Sequence, residues 1–425
     1  MNSRERVIET LDHRQPDRVA IDLGATNATG ISAVVYGKLK KLLGISGGQI
    51  RVIDIMQQLA EVEPEVLECL GGDVVMLRKY AMTMGIPFSG FKPGKLTDGS
   101  DCLQAESYNP QPNEKGEPAF YKITDGSDRL HPFPIDAGPN GFDRGRVVAK
   151  LPKGAHAYVR VYHPLADVDS IEAFDRFGFP EMDGEELGFL EAEAARLYLH
   201  TDRAVCGIFQ GNVFELGQIY WGYQKFFEFL LLEPEMMLHY FKKRTALLLG
   251  DLEKYLDAVG KYIHIINFCD DLGTQSSLLV SPGLYRSMVK PFHAELFGLV
   301  KKRCPHIKIF FHSCGAICDL IPDFIEIGAD ILNPVQFTAA GMDPAKLKRE
   351  FGKHIVFWGG GVDTQSVLNG KSEREVREMA KEMLDIFAPG GGYVFSQVHN
   401  IESCVPAENV LAAFETAKNY NYGRG

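Results

Sequence analysis

The chain has 425 residues, 45% of them hydrophobic and 24% charged, with a formal net charge of −11. That length supports one large domain or two to three ordinary ones, and the composition is that of a globular protein able to bury its own core. The acidic balance excludes a nucleic-acid binder, because phosphate binding needs a basic field.

No stretch approaches the roughly eighteen consecutive apolar residues of a membrane span. The opening Met1-Asn2-Ser3-Arg4-Glu5-Arg6 has no apolar signal core, so secretion is not expected and a cytoplasmic location is. The eight cysteines (Cys69, Cys102, Cys206, Cys269, Cys304, Cys314, Cys318 and Cys404) are scattered along a long chain. Reduced thiols fit that spacing better than a disulfide framework.

Ser3 reads as the N-cap of a helix from Arg4 to His13, which Pro16-Asp17-Arg18 breaks. Val19 to Gly24 reads as a short strand, and Asp73 to Arg78 as the next. From about residue 80 to 180 the texture turns rich in Gly, Pro, Asp and Tyr. Short alternating pieces such as Ala119 to Ile123 and Ala157 to Val161 appear there, which predicts a β-rich insertion. After Pro180 the rhythm is regular. Apolar runs at Ala204 to Gly211, Tyr262 to Asp270, Ile307 to His312, Asp330 to Asn333, Ile355 to Gly359 and Tyr393 to Gln397 alternate with helical stretches. Ser281-Pro282 and Asp343-Pro344 look like helix starts, and Gly328 like a helix C-cap. Runs this continuously apolar suit parallel strands buried on both faces. About eight of them predict an α/β fold, a (β/α)8 TIM barrel. It forms a single domain over residues 1–425, with the insertion between the second and third barrel strands. An open doubly wound sheet is the structural alternative.

Barrel enzymes place their chemistry at the C-terminal ends of the strands. Those ends are polar here: Asp22 to Thr26, Gln210-Gly211-Asn212, Cys269-Asp270-Asp271, His312-Ser313-Cys314, Asn333 to Gln336, Gly359-Gly360-Gly361, and Gln397 to Asn400 with His399 between. His312 and Cys314 are two apart at a strand end, so their side chains can point the same way. Imidazole plus thiolate is a zinc-type donor pair that needs a third protein ligand. Cys404, Cys318, Cys269 and Asp270 are the candidates. The plainer reading is a buried cysteine and a hydrogen-bonded histidine beside a turn glycine.

Asp270 and Asp271 are candidate acid–base or orienting groups, with capping of a loop as the plainer role. Gln210, Asn333 and His399 are further catalytic candidates by position. Gly359, Gly360 and Gly361 would let a cofactor approach the backbone, although they form no dinucleotide fingerprint. Gly390-Gly391-Gly392 reads as a plain turn on the opposite face. The aromatic run Tyr220-Trp221-Gly222-Tyr223 with Phe226-Phe227 reads as helix core or an oligomer face, and a homodimer is left open.

Several of these motifs recur together in a known family. Ser3 to Val7 through His13-Arg14-Gln15-Pro16-Asp17-Arg18-Val19, then Cys269-Asp270-Asp271-Leu272-Gly273-Thr274-Gln275, His312-Ser313-Cys314-Gly315 and Ala388-Pro389-Gly390-Gly391-Gly392-Tyr393 carry the likeness. On them the chain resembles the uroporphyrinogen decarboxylase-like superfamily, on its corrinoid-dependent methyltransferase side, except over roughly residues 90 to 165. The decarboxylase proper resembles it less: its arginine-rich loop has no counterpart in Ala20-Ile21-Asp22-Leu23-Gly24-Ala25-Thr26. The resemblance implies zinc held by His312, Cys314 and a distant cysteine. That cysteine would correspond to Gly391, and the nearest later thiol is Cys404, with Asp270 as a substitute or fourth ligand. It further implies methyl transfer between a small methyl ether, alcohol or thiol and the cobalt of a cobalamin carried by a separate corrinoid protein. O-demethylation is one such reaction. The competing expectations are a metal-free lyase acting on a tetrapyrrole, with Asp22 or Asp270 as its polar centre, and a non-enzymatic corrinoid or tetrapyrrole carrier.

Overall fold

The computed structural model describes residues 1–82, 86–88, 90–123 and 142–422. Eight strands form the central sheet: β1 Ala20–Ile21, β2 Val74–Leu77, β3 Ala204–Gln210, β4 Ile265–Cys269, β5 Lys308–His312, β6 Ile331–Asn333, β7 Val356–Trp358 and β8 Tyr393–Phe395. Each pairs in parallel with its neighbour in the order β1-β8-β7-β6-β5-β4-β3-β2. The sheet curls until its edge strands meet. At that seam the Asp73 amide donates to the Ile21 carbonyl at 2.8 Å, and the Ile21 amide donates to the Asp73 carboxylate at 3.0 Å. The fold is a nearly closed (β/α)8 barrel.

Between β2 and β3 the described residues hold short antiparallel pairs, among them Phe91–Lys95 with Asp101–Ala105 and Pro118–Ile123 with Phe142–Lys150. Ile55, Ala105, Phe120, Ala149 and Tyr158 form a small core beneath them. A short helix, Ile171–Asp175, follows. Of the expected insertion, residues 83–85, 89 and 124–141 lie outside the described residues. The first helix is Ser3–Leu11, and its cap is Asn2 rather than Ser3. The Asn2 side chain accepts from the Glu5 amide while the Glu5 carboxylate accepts from the Asn2 amide. Ser281 and Asp343 cap the helices that begin at Pro282 and Pro344. Tyr220, Trp221 and Phe226 are buried in the helix layer, whereas Tyr223 is exposed.

Two cores follow from strand alternation. Ala204, Cys206 and Ile208 of β3, Ile265 of β4, Phe310 of β5, Ile331 of β6, and Val356 and Trp358 of β7 fill the barrel interior. Val7 and Leu11 of the first helix join that cluster. The alternate residues, such as Val205, Ile266, Phe268, Ile309, Phe311, Leu332 and Phe357, face the helices. Continuing the inward row to the C-terminal rim reaches Gln210, Cys269, His312 and Asn333.

Asp73 carries the seam. It is fully buried and accepts from Arg6 Nη1 at 2.7 Å and from Arg18 Nη1 at 2.8 Å. Asp73→Ala removes the buried carboxylate that both cations share, leaving Arg6 only Asp17, and is expected to destabilise the protein by about 3–5 kcal/mol. Urea unfolding measures this. A loss under about 1 kcal/mol, the size of a surface ion pair, would contradict it.

Candidate metal centre

Cys269, His312 and Asn333 stand in register on three adjacent strands. His312 Nδ1 lies 2.6 Å from Asn333 Oδ1, and Asn333 Nδ2 donates to the Trp358 carbonyl at 2.9 Å. The second bond fixes which way the amide faces. Its oxygen therefore accepts the Nδ1 proton, and the Nε2 lone pair of His312 is left to face the Cys314 thiol. Trp358 is held in turn by its indole N–H, which donates to the buried Asp22 carboxylate at 2.8 Å.

His312 Nε2 lies 3.3 Å from Cys314 Sγ. The loop carrying Cys314 crosses the loop after β4 at backbone contact. The Ala316 amide donates to Thr274 O at 2.8 Å, and the Leu272 amide donates to Ser313 Oγ at 3.1 Å. Gly315 has φ +92°, and a Cβ there would stand 2.6 Å from Gly273 C and Thr274 O. A Cβ on Gly273 would stand 2.7 Å from the Cys314 carbonyl. The two sequence motifs are thus halves of one crossing, and their glycines are what let the chains touch. Asp271 joins the site from this crossing. Its carboxylate accepts from the Cys314 amide at 2.8 Å and lies 3.7 Å from His312 Nε2.

His399 brings a third potential donor to the same point. One ligand atom from each of His312, Cys314 and His399 can be chosen so that all lie within 4.8 Å of one another. Its loop is pinned from both sides. Gln397 Nε2 donates to Thr29 O at 3.0 Å, and Asn400 Oδ1 accepts from the Gly30 amide at 2.9 Å. Burial, and then the neighbouring His312, push the His399 pKa down to about 4. The ring is neutral at pH 7, the form that binds metals.

The surroundings are electronegative. Burial, then Asp271 and Glu215, raise the Cys314 thiol well above its ordinary value. Burial, then Asp271 and Asp270, raise Glu215 to about 8. A divalent cation relieves this crowding of acidic groups, and two imidazoles with one thiol suit zinc-type ions. The residues therefore fit such a metal.

The other predicted residues have different tasks. Asp270 is fully buried and faces the helix layer. It accepts from the amides of Val213, Phe214 and Glu215 at 2.8, 2.8 and 2.6 Å, and pairs with His293 Nε2 at 2.8 Å. These partners fix the start of helix Glu215–Trp221 and leave Asp270 no opening toward the mouth. Gln210, at φ +69°, accepts from Lys79 Nζ at 2.6 Å. The amides of Gly359 and Gly361 donate to the carbonyls of Val394 and Ser396, and a Cβ on Gly361 would meet the Phe395 ring at 2.4 Å. The three glycines thus serve close packing of the strand ends. Cys269 Sγ donates to Asn267 Oδ1 at 3.4 Å, and Cys318 is half-buried in a short 3-10 turn. Cys404 does not join His312 and Cys314. It is exposed, grouped instead with His156 and Glu402.

Sequence reasoning missed Lys79 and Glu215. Lys79 follows β2 by two residues, and burial lowers its pKa. Glu215 lies just past the polar end of β3, in the first turn of a helix, and its carboxylate accepts from Asn212 Nδ2 at 2.7 Å. A reading of the strand ends carried three residues further would have reached it.

Two outcomes follow from this geometry. Asn333→Ala frees the His312 ring and is expected to weaken zinc binding about 10–100-fold. Competition against a chelator measures it, and an unchanged affinity would contradict the role given to Asn333. For Glu215 the folded-state pKa is raised, so the folded protein holds a proton that the unfolded chain loses above the ordinary value of 4.5. Stability is therefore lost as pH rises from about 4.5 to about 8. In metal-free protein, Glu215→Gln should gain stability over the parent across that window and stay level above it. Thermal unfolding at several pH values checks this, and a difference that does not grow with pH would contradict it.

The family model described as Uroporphyrinogen decarboxylase (URO-D) matches residues 166–420, more than half of the chain. Among solved structures, a methyltransferase from Methanosarcina mazei is similar, with 14% identity over 98% of each chain and a TM-score of 0.55. An endo-1,4-beta-xylanase from Caldicellulosiruptor owensensis has 10% identity over 56% of this chain and 84% of its own, with a TM-score of 0.33. The first likeness bears on the fold. No curated protein matched the sequence. No helix among the described residues is long and apolar enough to cross a membrane. With its motifs crossing at the rim of a (β/α)8 barrel, the chain belongs to the uroporphyrinogen decarboxylase family.

Proposed function

We propose that the protein is a zinc-dependent methyltransferase of this family. It would move a methyl group between a small methyl ether, alcohol or thiol and the cobalt of a cobalamin on a separate corrinoid protein. The observation that carries this reading is the convergence of His312, Cys314 and His399 within 4.8 Å at the barrel mouth. Likeness in fold to a methyltransferase supports the reaction class. Held by His312, Cys314 and His399, zinc would supply Lewis acidity toward the substrate heteroatom.

The chain's own residues do the rest. Asn333 holds His312 in one tautomer, and the pinned loop from Gln397 to Asn400 sets His399. Asp271 anchors the Cys314 backbone beside its thiol. Glu215 stands beside Asp271 at the start of its helix, and in the metal-free protein burial and then that neighbour favour its protonated form. The loops around this mouth face the side on which a corrinoid protein would dock.

A metal-free lyase centred on Asp22 or Asp270 has less support. Asp22 accepts from the Ala25 amide and the Trp358 indole, and Asp270 from three amides with His293 beside it. Neither carboxylate is left to act on a ligand.

Chelator-stripped protein should lose methyl transfer to cob(I)alamin and regain it with zinc. Cys314→Ala and His399→Ala should each lose the metal at this centre. Full activity in protein shown to be free of metal would overturn the proposal.

A further inference from the structure

Three potential ligands of different chemistry meet on the surface, away from the centre described above. His156 follows the long strand Phe142–Lys150 of the region between β2 and β3, while Glu402 and Cys404 lie in the loop after β8. One ligand atom from each lies within 4.8 Å of the others. All three residues are exposed, so an ion can load from solvent and water can complete its shell.

Both sides are anchored close by. Tyr158, two residues beyond His156, is buried, and its amide donates to the Met56 carbonyl at 2.7 Å. Ile401 and Val405 are buried on either side of the Glu402–Cys404 turn, and the Val405 amide closes that turn on the Glu402 carbonyl at 3.1 Å. Cys404 Sγ lies 4.0 Å from Glu402 Oε2. Sulfur and oxygen on a tetrahedral ion, with bonds of about 2.3 and 2.1 Å, stand about 3.6 Å apart. The pair is therefore already near the spacing that a metal requires. His156 Nδ1 pairs with Ser403 Oγ, which holds the ring against the turn between Glu402 and Cys404. Among the described residues no lysine or arginine forms an ion pair with Glu402, so its charge is available to a cation.

We propose that His156, Glu402 and Cys404 form a second site for a thiophilic divalent cation of the zinc class. Binding couples to loss of the Cys404 thiol proton to solvent as the sulfur–metal bond forms. The bound ion ties together chain segments about 247 residues apart in sequence. It also fastens the loop that carries His399, five residues before Cys404. The site stands independently of the methyltransferase reading.

The test is metal stoichiometry in the full-length protein, with zinc as the probe, followed by cobalt(II) as a spectroscopic one. His156→Ala and Cys404→Ser are each expected to bind one equivalent fewer than the parent, whether the parent binds one or two. In a Cys314→Ala background, cobalt(II) should give a thiolate charge-transfer band that Cys404→Ser removes. Equal stoichiometry in parent and His156→Ala, or a band that survives Cys404→Ser, would overturn the site. Loss of every equivalent in Cys404→Ser alone, with His156→Ala unchanged, would return Cys404 to the centre at His312 and overturn it too.

Discussion

The site depends on a single constraint, the two-residue alternation of strands held in parallel register. Below the rim, alternate side chains such as Ile208, Ile265, Phe310 and Ile331 fill the barrel with apolar atoms. At the rim the same inward row changes character to Gln210, Cys269, His312 and Asn333. A slip of one residue in any strand would turn that row into the helix layer and bring an apolar side chain to the mouth. The packed interior thus fixes which polar groups face a ligand.

The same alternation separates two adjacent carboxylates. Asp270, one residue past Cys269, faces outward, where the start of helix Glu215–Trp221 and His293 surround it. Asp271 returns to the mouth beside Cys314. The outer carboxylate places Glu215, while burial first and then the inner carboxylate raise the proton affinity of both Glu215 and Cys314. Scaffold and site are joined through this one dipeptide. The acidic surroundings, and a His312 Nε2 lone pair that meets the Cys314 thiol, suit a cation at this point.

Much of the architecture was legible in the sequence, because buried parallel strands leave continuous apolar runs and their polar ends mark the rim. His312 and Cys314 stood out for the same reason, being two residues apart where such a run stops. The third donor was harder to see. His399 is positioned by Gln397 and Asn400 holding backbone about 370 residues earlier, at Thr29 and Gly30, and no local periodicity records that contact. Cys404 attracted attention through its thiol, yet the turn it occupies, closed by Val405 on Glu402, carries it to the surface. The opposite fates of Asp270 and Asp271 were readable in principle, by extending the alternation of β4 past its end. Glu215 was hidden because its role arises from burial and neighbouring charge, which residue type alone does not show.

The central claim is that His312, Cys314 and His399 together hold one metal. Zinc K-edge X-ray absorption on the Cys404→Ser protein, which keeps this centre and removes the surface thiol, addresses it most directly. The account predicts a zinc shell with two imidazole nitrogens, one sulfur and a light atom from solvent. A shell with two sulfurs, or with none, would contradict it.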